Sequence, residues 1–277
     1  MPLTEVEKDI SLAYEELGSG DRYILSMMQD FPPESSTRAM AEKGYHVFLI
    51  TNRGFGASTH VTEDYGDRWY EVFADDVVRF ADAHGIDSFV YMGCSHGAGT
   101  GWHLAIKYPE RVKAIIAMSG GPHNLDEGDW SYRTMAAKGI KMPPMDPPSD
   151  DEAVRARTER NRVYLKALRD AQSPEEKAVD YKRPMMYCGT DAVLMEELGK
   201  ITAPVLMLGC LEDPISRPDL MLRTARSIKN GKTVLYSRFG HSGPYSQLVE
   251  ETVFEADAFI RNVEETGRYY KKVEGLD

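Results

Sequence analysis

The sequence predicts an α/β fold, a mostly parallel sheet covered by helices on both faces and interrupted by a helical insertion. Three observations predict it. Short apolar runs bounded by turn chemistry alternate with longer amphipathic stretches through the first 120 positions. From about Pro122 to Lys200 the texture becomes Pro- and Met-rich and strongly charged. Sheet texture then resumes at Pro204–Leu208 (PVLML).

Taken in order, Tyr23–Met28 (YILSMM), Tyr45–Thr51 (YHVFLIT), Ser88–Met92 (SFVYM) and Ala114–Met118 (AIIAM) are apolar throughout rather than alternating. That is the pattern of parallel strands buried on both faces. Ser35–Glu42, Tyr70–His84 and Ala98–Tyr108 read as the helices between them. Prolines at 143, 144, 147 and 148 make KMPPMDPPSDDE a loop, whereas Asp151–Ala171 is strongly helical. After PVLML come a helix at Pro218–Ile228, a strand at Thr233–Ser237 and a closing helix at Leu248–Val263. The simplest division is a core of residues 1–122 and 200–277 with residues 123–199 inserted as a helical cap, or lid, over the functional edge.

Composition limits the function. The 277 residues carry 33 Lys+Arg against 44 Asp+Glu, a formal net charge of −11, which lacks the basic footprint of a general nucleic-acid binder. With 42% hydrophobic and 28% charged residues the chain is an ordinary globular protein. Cys94, Cys188 and Cys210 are odd in number and irregularly spaced, giving neither a disulfide framework nor a zinc pattern, so a reducing compartment is expected. The acidic N-terminal stretch lacks a signal-peptide pattern and no apolar run is long enough to span a bilayer, so the expectation is a cytoplasmic protein without a membrane partner. Homo-oligomerisation is left open.

The chemistry is carried by Gly93-Cys94-Ser95-His96-Gly97, which follows the strand SFVYM and precedes the helix AGTGWHLAIKY. A G-x-S-x-G turn between strand and helix projects the serine hydroxyl above the sheet edge, beside the positive end of the helix. A serine needs a base to take its proton and an acid to orient that base. His241, in Arg238-Phe239-Gly240-His241-Ser242-Gly243-Pro244, and Asp213, just beyond PVLML, supply both in the chain order Ser, Asp, His, with Glu212 and Asp126 as competing carboxylates. Cys94 is expected to pack, because the elbow projects the central residue of the motif. Trp102 and His103 read as core or helix-surface residues.

These residues, with Asn52-Arg53-Gly54-Phe55-Gly56-Ala57-Ser58 and Tyr108-Pro109-Glu110-Arg111-Val112, resemble the α/β-hydrolase superfamily in its small form with a helical cap. The resemblance covers about residues 10–263 and implies a mostly parallel eight-stranded sheet. It also implies cofactor-independent acyl hydrolysis of a small-molecule substrate through a covalent intermediate on Ser95, with no metal. The oxyanion hole would use the backbone N–H groups of His96 and Phe31. Here the chain departs from the family: the loop after the third core strand reads Gln29-Asp30-Phe31 where His-Gly is usual. Asp30 then either puts negative charge near the oxyanion or caps the following helix. Gln29, Asp30, Trp130, Tyr132 and Met135 are candidate pocket residues, with Met142 and Met145 beside them, while Arg155, Arg157, Arg160 and Arg162 read as a solvated helix face. His96 is either a spectator on the elbow or a substrate contact. A serine at the elbow argues against the haloalkane dehalogenase and epoxide hydrolase branches, which resemble this fold but use aspartate there. Carbon–carbon bond hydrolysis of a vinylogous diketone and cofactor-free dioxygenase or lyase chemistry stay open beside ester or lactone hydrolysis.

Overall fold

The structure, a computed structural model, describes residues 1–269 apart from 62, 123–138, 142, 176 and 178–189. Eight strands form one sheet: β1 (Leu3–Glu7), β2 (Ile10–Leu17), β3 (Tyr23–Met28), β4 (His46–Thr51), β5 (Phe89–Cys94), β6 (Val112–Met118), β7 (Val205–Cys210) and β8 (Gly231–Tyr236). Their spatial order is β1-β2-β4-β3-β5-β6-β7-β8. The β1–β2 and β2–β4 pairs are antiparallel and every later pair is parallel.

The unbroken apolar runs are explained by two cores, one on each face. Alternate residues along a strand point to opposite sides. In β5, Phe89 and Tyr91 enter one core while Val90, Met92 and Cys94 enter the other; in β7, Val205 and Met207 oppose Leu206 and Leu208. The first core is closed by α2 (Trp69–Ala83), α3 (His96–Lys107), α5 (Asp191–Leu198) and α6 (Pro218–Ser227). The second is closed by α1 (Ser36–Ala39), which runs on into a 3₁₀ turn at Met40–Lys43, and by α7 (Val249–Thr266). On α7, Val253, Ala256, Phe259 and Ile260 recur at helical spacing and form its buried face. Helix α4 (Glu152–Asp170) lies between β6 and β7 in sequence and buries only Asn161.

Strands β1 and β2 differ from the sequence reading, which names no strand before Tyr23. Both pair at the sheet edge and are half-buried, with the burial alternating along β1, so neither shows the solid apolar run that marks the central strands. Helix α5 lies within the stretch read as the helical insertion and buries Leu194 and Leu198 in the first core, and residues 35–42 divide into a short α-helix and a 3₁₀ turn. Among the described residues no helix is long and apolar enough to cross a membrane. Cys94 and Cys210 are free and buried, and Cys188 lies outside the described residues.

Candidate active site

The chain leaves β3 for β4 on one side and reaches β5 on the other, so the strand order reverses at β3/β5. Crevices at such switch points, outside the carboxyl ends of the strands, are where open α/β sheets bind ligands. The Gln29-Asp30-Phe31 loop follows β3 and Ser95 follows β5, while Asp213 and His241 follow β7 and β8. All the predicted residues that are described therefore come from one edge of the sheet.

Ser95 has φ 51 and ψ −111, a conformation costly for a residue with a side chain. Its N–H donates to Met118 O at 2.9 Å, and its C=O accepts from Gly99 N at 3.1 Å, which starts α3. The flanking glycines are sterically required. A Cβ on Gly93 would lie 2.5 Å from Gly97 O and 2.8 Å from Ala98 N, and one on Gly97 would lie 2.8 Å from Met28 Cγ and 3.2 Å from Met27 O. Strand, turn and helix pack closer than any side chain allows.

Asp213 and His241 are nearly inaccessible, at 3% and 6% exposed. His241 Nδ1 lies 2.9 Å from Asp213 Oδ2 and 3.1 Å from Oδ1. An ionised carboxylate only accepts, so this geometry puts the proton on Nδ1 and leaves Nε2 as the acceptor. Oδ1 of Asp213 also accepts from Ile215 N at 2.8 Å and Ser216 N at 2.9 Å, fixing the carboxylate. Glu212 is exposed, so burial separates it from Asp213 as the acid; Asp126 lies outside the described residues. Among the described residues the Ser95 hydroxyl has no hydrogen-bond partner, and the His241 ring bonds only Asp213. A Ser–His hydrogen bond is commonly long until substrate binds.

The two candidate oxyanion donors sit on adjacent strand ends. His96 opens α3, and its Nδ1 is hydrogen-bonded to the Tyr70 hydroxyl. The Tyr70 ring lies within 8° of parallel to that of His96 and within 15° of that of His103, with centroids 6.1 and 6.0 Å away, so α2 holds the His96 ring through the Tyr70 hydroxyl. Phe31 is buried. The helix after it has Ser35 at its N-cap, whose side chain makes no capping hydrogen bond. Burial, with a smaller contribution from the charge of Asp30, raises the hydroxyls of Tyr164 and Tyr245 above their ordinary value. Burial first, and the charges of Asp213 and Asp146 after it, push the Cys94 and Cys210 thiols far above their ordinary value, which leaves neither a thiolate nucleophile.

Several positions that hold the site carry no motif. Ser119 Oγ donates to His241 O at 2.8 Å, and Ser216 Oγ accepts from Gly121 N at 2.7 Å. Helix α4 spans two of the loops. Its Asn161 donates to Glu34 O at 2.8 Å and Arg160 pairs with the Glu34 carboxylate at 2.6 Å, three residues beyond Phe31. Arg157 reaches Glu250 at 2.7 Å and Gln247 O at 3.2 Å, beyond the His241 loop. Arg155 bonds Ser149 O and Arg162 bonds Glu159. Trp102 donates to Gly120 O from the core, and Met145 is half-buried. Trp130, Tyr132, Met135 and Met142 lie outside the described residues. Arg53 of the Asn52–Ser58 turn is a structural anchor, bonding Asp76 at 2.5 and 2.8 Å in the core. Among the described residues no cluster of side chains could hold a metal ion.

The sheet order and the helical layers on both its faces are those of the α/β-hydrolase fold. Residues 30–138 match the α/β hydrolase fold family. Over 121 residues the chain is 28% identical to bifunctional epoxide hydrolase 2 of Sus scrofa, covering 41% of this chain and 21% of that protein. Over 147 residues it is 32% identical to 2-hydroxy-6-oxo-6-phenylhexa-2,4-dienoate hydrolase of Comamonas testosteroni, covering 49% of each. The chain thus matches only about a fifth to a half of the length of these relatives. The solved enol-lactonase of Burkholderia xenovorans LB400 superposes with a TM-score of 0.63 at 20% identity, over 95% of this chain and 98% of that one.

Proposed function

We propose that the chain is a serine hydrolase cleaving a small ester, lactone or related acyl substrate through an acyl-enzyme. The observation that carries the reading is the strained Ser95 elbow on the same sheet edge as a buried, hydrogen-bonded Asp213–His241 pair. In this reading Ser95 Oγ attacks the carbonyl carbon while His241 Nε2 takes its proton. Asp213 holds the imidazole in the required tautomer and stabilises the imidazolium. The N–H groups of His96 and Phe31 take the charge on the oxygen. His241 returns the proton to the leaving group, and water activated by the same imidazole releases the acid. In this reading the insertion between β6 and β7, apart from the core-packed α5, serves as the cap, and specificity resides there and in Gln29 and Asp30. No metal or cofactor takes part.

The Comamonas relative favours a second reading, in which the bond that breaks joins the acyl carbon to a carbon leaving as a stabilised enolate. The pig relative favours an epoxide, but Ser95 stands where that branch carries aspartate. A panel of p-nitrophenyl esters, lactones and conjugated diketones, with Ser95→Ala as control, separates these readings. Turnover of esters or lactones lost in the variant supports the first, and turnover confined to diketones the second. Oxygen consumption undiminished by Ser95→Ala overturns both in favour of dioxygenase chemistry.

A further inference from the structure

We propose that Asp146, in the segment between β6 and β7, is a positioning residue for His241; this rests on the reading of His241 as the base. Asp213 orients only the ring, and the backbone that carries it must be held separately. The His241 C=O accepts from Ser119 Oγ at 2.8 Å. Its N–H donates to Met145 O at 2.9 Å, and the Ser242 N–H donates to Asp146 Oδ1 at 2.8 Å. Two consecutive N–H groups of the histidine loop are thus held by a dipeptide about 95 positions earlier in the chain.

The approach is close enough to dictate sequence. A Cβ on Gly240 would collide with Met145 O and lie 2.8 Å from Asp146 Cα and 3.0 Å from Asp146 Oδ1. Glycine before the histidine is therefore the residue that admits the strap. Pro143-Pro144 and Pro147-Pro148 bracket Met145-Asp146 and restrict its backbone before it docks, so little entropy is lost in holding the loop. A carboxylate bonded to an N–H is stronger and shorter than a neutral acceptor. Asp146 itself touches no reacting atom. It fixes where Nε2 stands relative to Ser95, and a displacement of about 1 Å there costs on the order of a hundredfold in rate.

The test is the rate of covalent labelling by a fluorophosphonate, which needs the base but no knowledge of the substrate, together with kcat and KM for p-nitrophenyl acetate. Asp146→Ala is expected to slow labelling and kcat about tenfold to a hundredfold, leave KM within about twofold, and remain folded. Asp146→Asn, whose amide oxygen can still accept from Ser242, is expected to recover most of the loss. Should the alanine variant not fold, Asp146→Glu replaces it: the charge is kept, the oxygen moves by one methylene, and labelling still slows. Unchanged labelling in the folded alanine or glutamate variant, or an asparagine variant no faster than alanine, overturns the inference. Ser95→Ala run in parallel distinguishes the failures. If wild type does not label, or Ser95→Ala labels equally, the reading of the site falls and takes this one with it. If Ser95→Ala is silent while the Asp146 variants match wild type, only the positioning role falls.

Discussion

Asp213→Asn changes one atom and makes a prediction that the geometry sizes. Oδ1 accepts two backbone N–H groups, from Ile215 at 2.8 Å and Ser216 at 2.9 Å, so the asparagine must keep its carbonyl oxygen there. The alternative flip would face an NH₂ group against two N–H donors and leave all of them buried and unpaired. The amide nitrogen is then turned toward His241 Nδ1, where Oδ2 now stands at 2.9 Å. Two donors cannot share that position, so the imidazole takes its proton on Nε2, the tautomer that cannot accept from Ser95. A wrong tautomer with intact geometry costs about 10⁴ in kcat, or about 5.4 kcal/mol at 1.36 kcal/mol per decade. The two retained backbone bonds keep the fold, with a stability loss of about 1 kcal/mol and a fall in Tm of about 2–4 °C. The assay is kcat for the best ester or lactone substrate beside thermal unfolding of the same preparation. A folded variant retaining kcat within tenfold of wild type would refute the reasoning.

Three further outcomes follow from the packing and the charges. Gly93→Ala sets a methyl against backbone atoms of Gly97 and Ala98, which cannot move independently of α3; it should destabilise by about 3 kcal/mol, lowering Tm by about 6 °C or more, with labelling of Ser95 reduced in the folded fraction. Arg53→Met strips the fully buried Asp76 of both its hydrogen bonds, leaving among the described residues only Arg79 at 3.9 Å, and should cost about 3 kcal/mol in urea unfolding, whereas Arg53→Met/Asp76→Leu recovers most of it; equal losses in single and double variants would contradict the pairing. Burial holds His84, stacked on Phe80 and hydrogen-bonded to Thr4, below the ordinary histidine value. Its stabilising contribution is full above the unfolded value of 6.5 and is lost as pH falls through the lower folded value, so Tm should drop less between pH 7 and 5 in His84→Gln than in wild type.

The central strands were legible because burial on both faces demands unbroken apolar sequence, and β3 begins and ends at the residues the pattern predicts. The edge strand β1 and its neighbour β2 escape that logic because β1 alternates between exposed and half-buried residues and β2 buries fully only Leu12 and Ala13. The elbow was legible because steric demand at Gly93 and Gly97 leaves a mark in the sequence. The family resemblance singles out Asp213 over Glu212, and the physical difference between these adjacent carboxylates, one buried and one exposed, is visible only in the fold. Tyr70, Ser119, Asn161 and Asp146 were illegible for a different reason. Each hydrogen-bonds a residue far along the chain, and local spacing carries no record of such a contact. Gly240 is the partial exception, since its missing side chain hints at a close neighbour without saying which.

The central claim is that Ser95 is the nucleophile. Fluorophosphonate treatment followed by intact-mass and peptide mass spectrometry tests it directly. A single adduct on the peptide containing Ser95, absent from folded Ser95→Ala, is the result the account predicts; a folded wild-type protein that takes no label, or an adduct that survives the substitution, would contradict it.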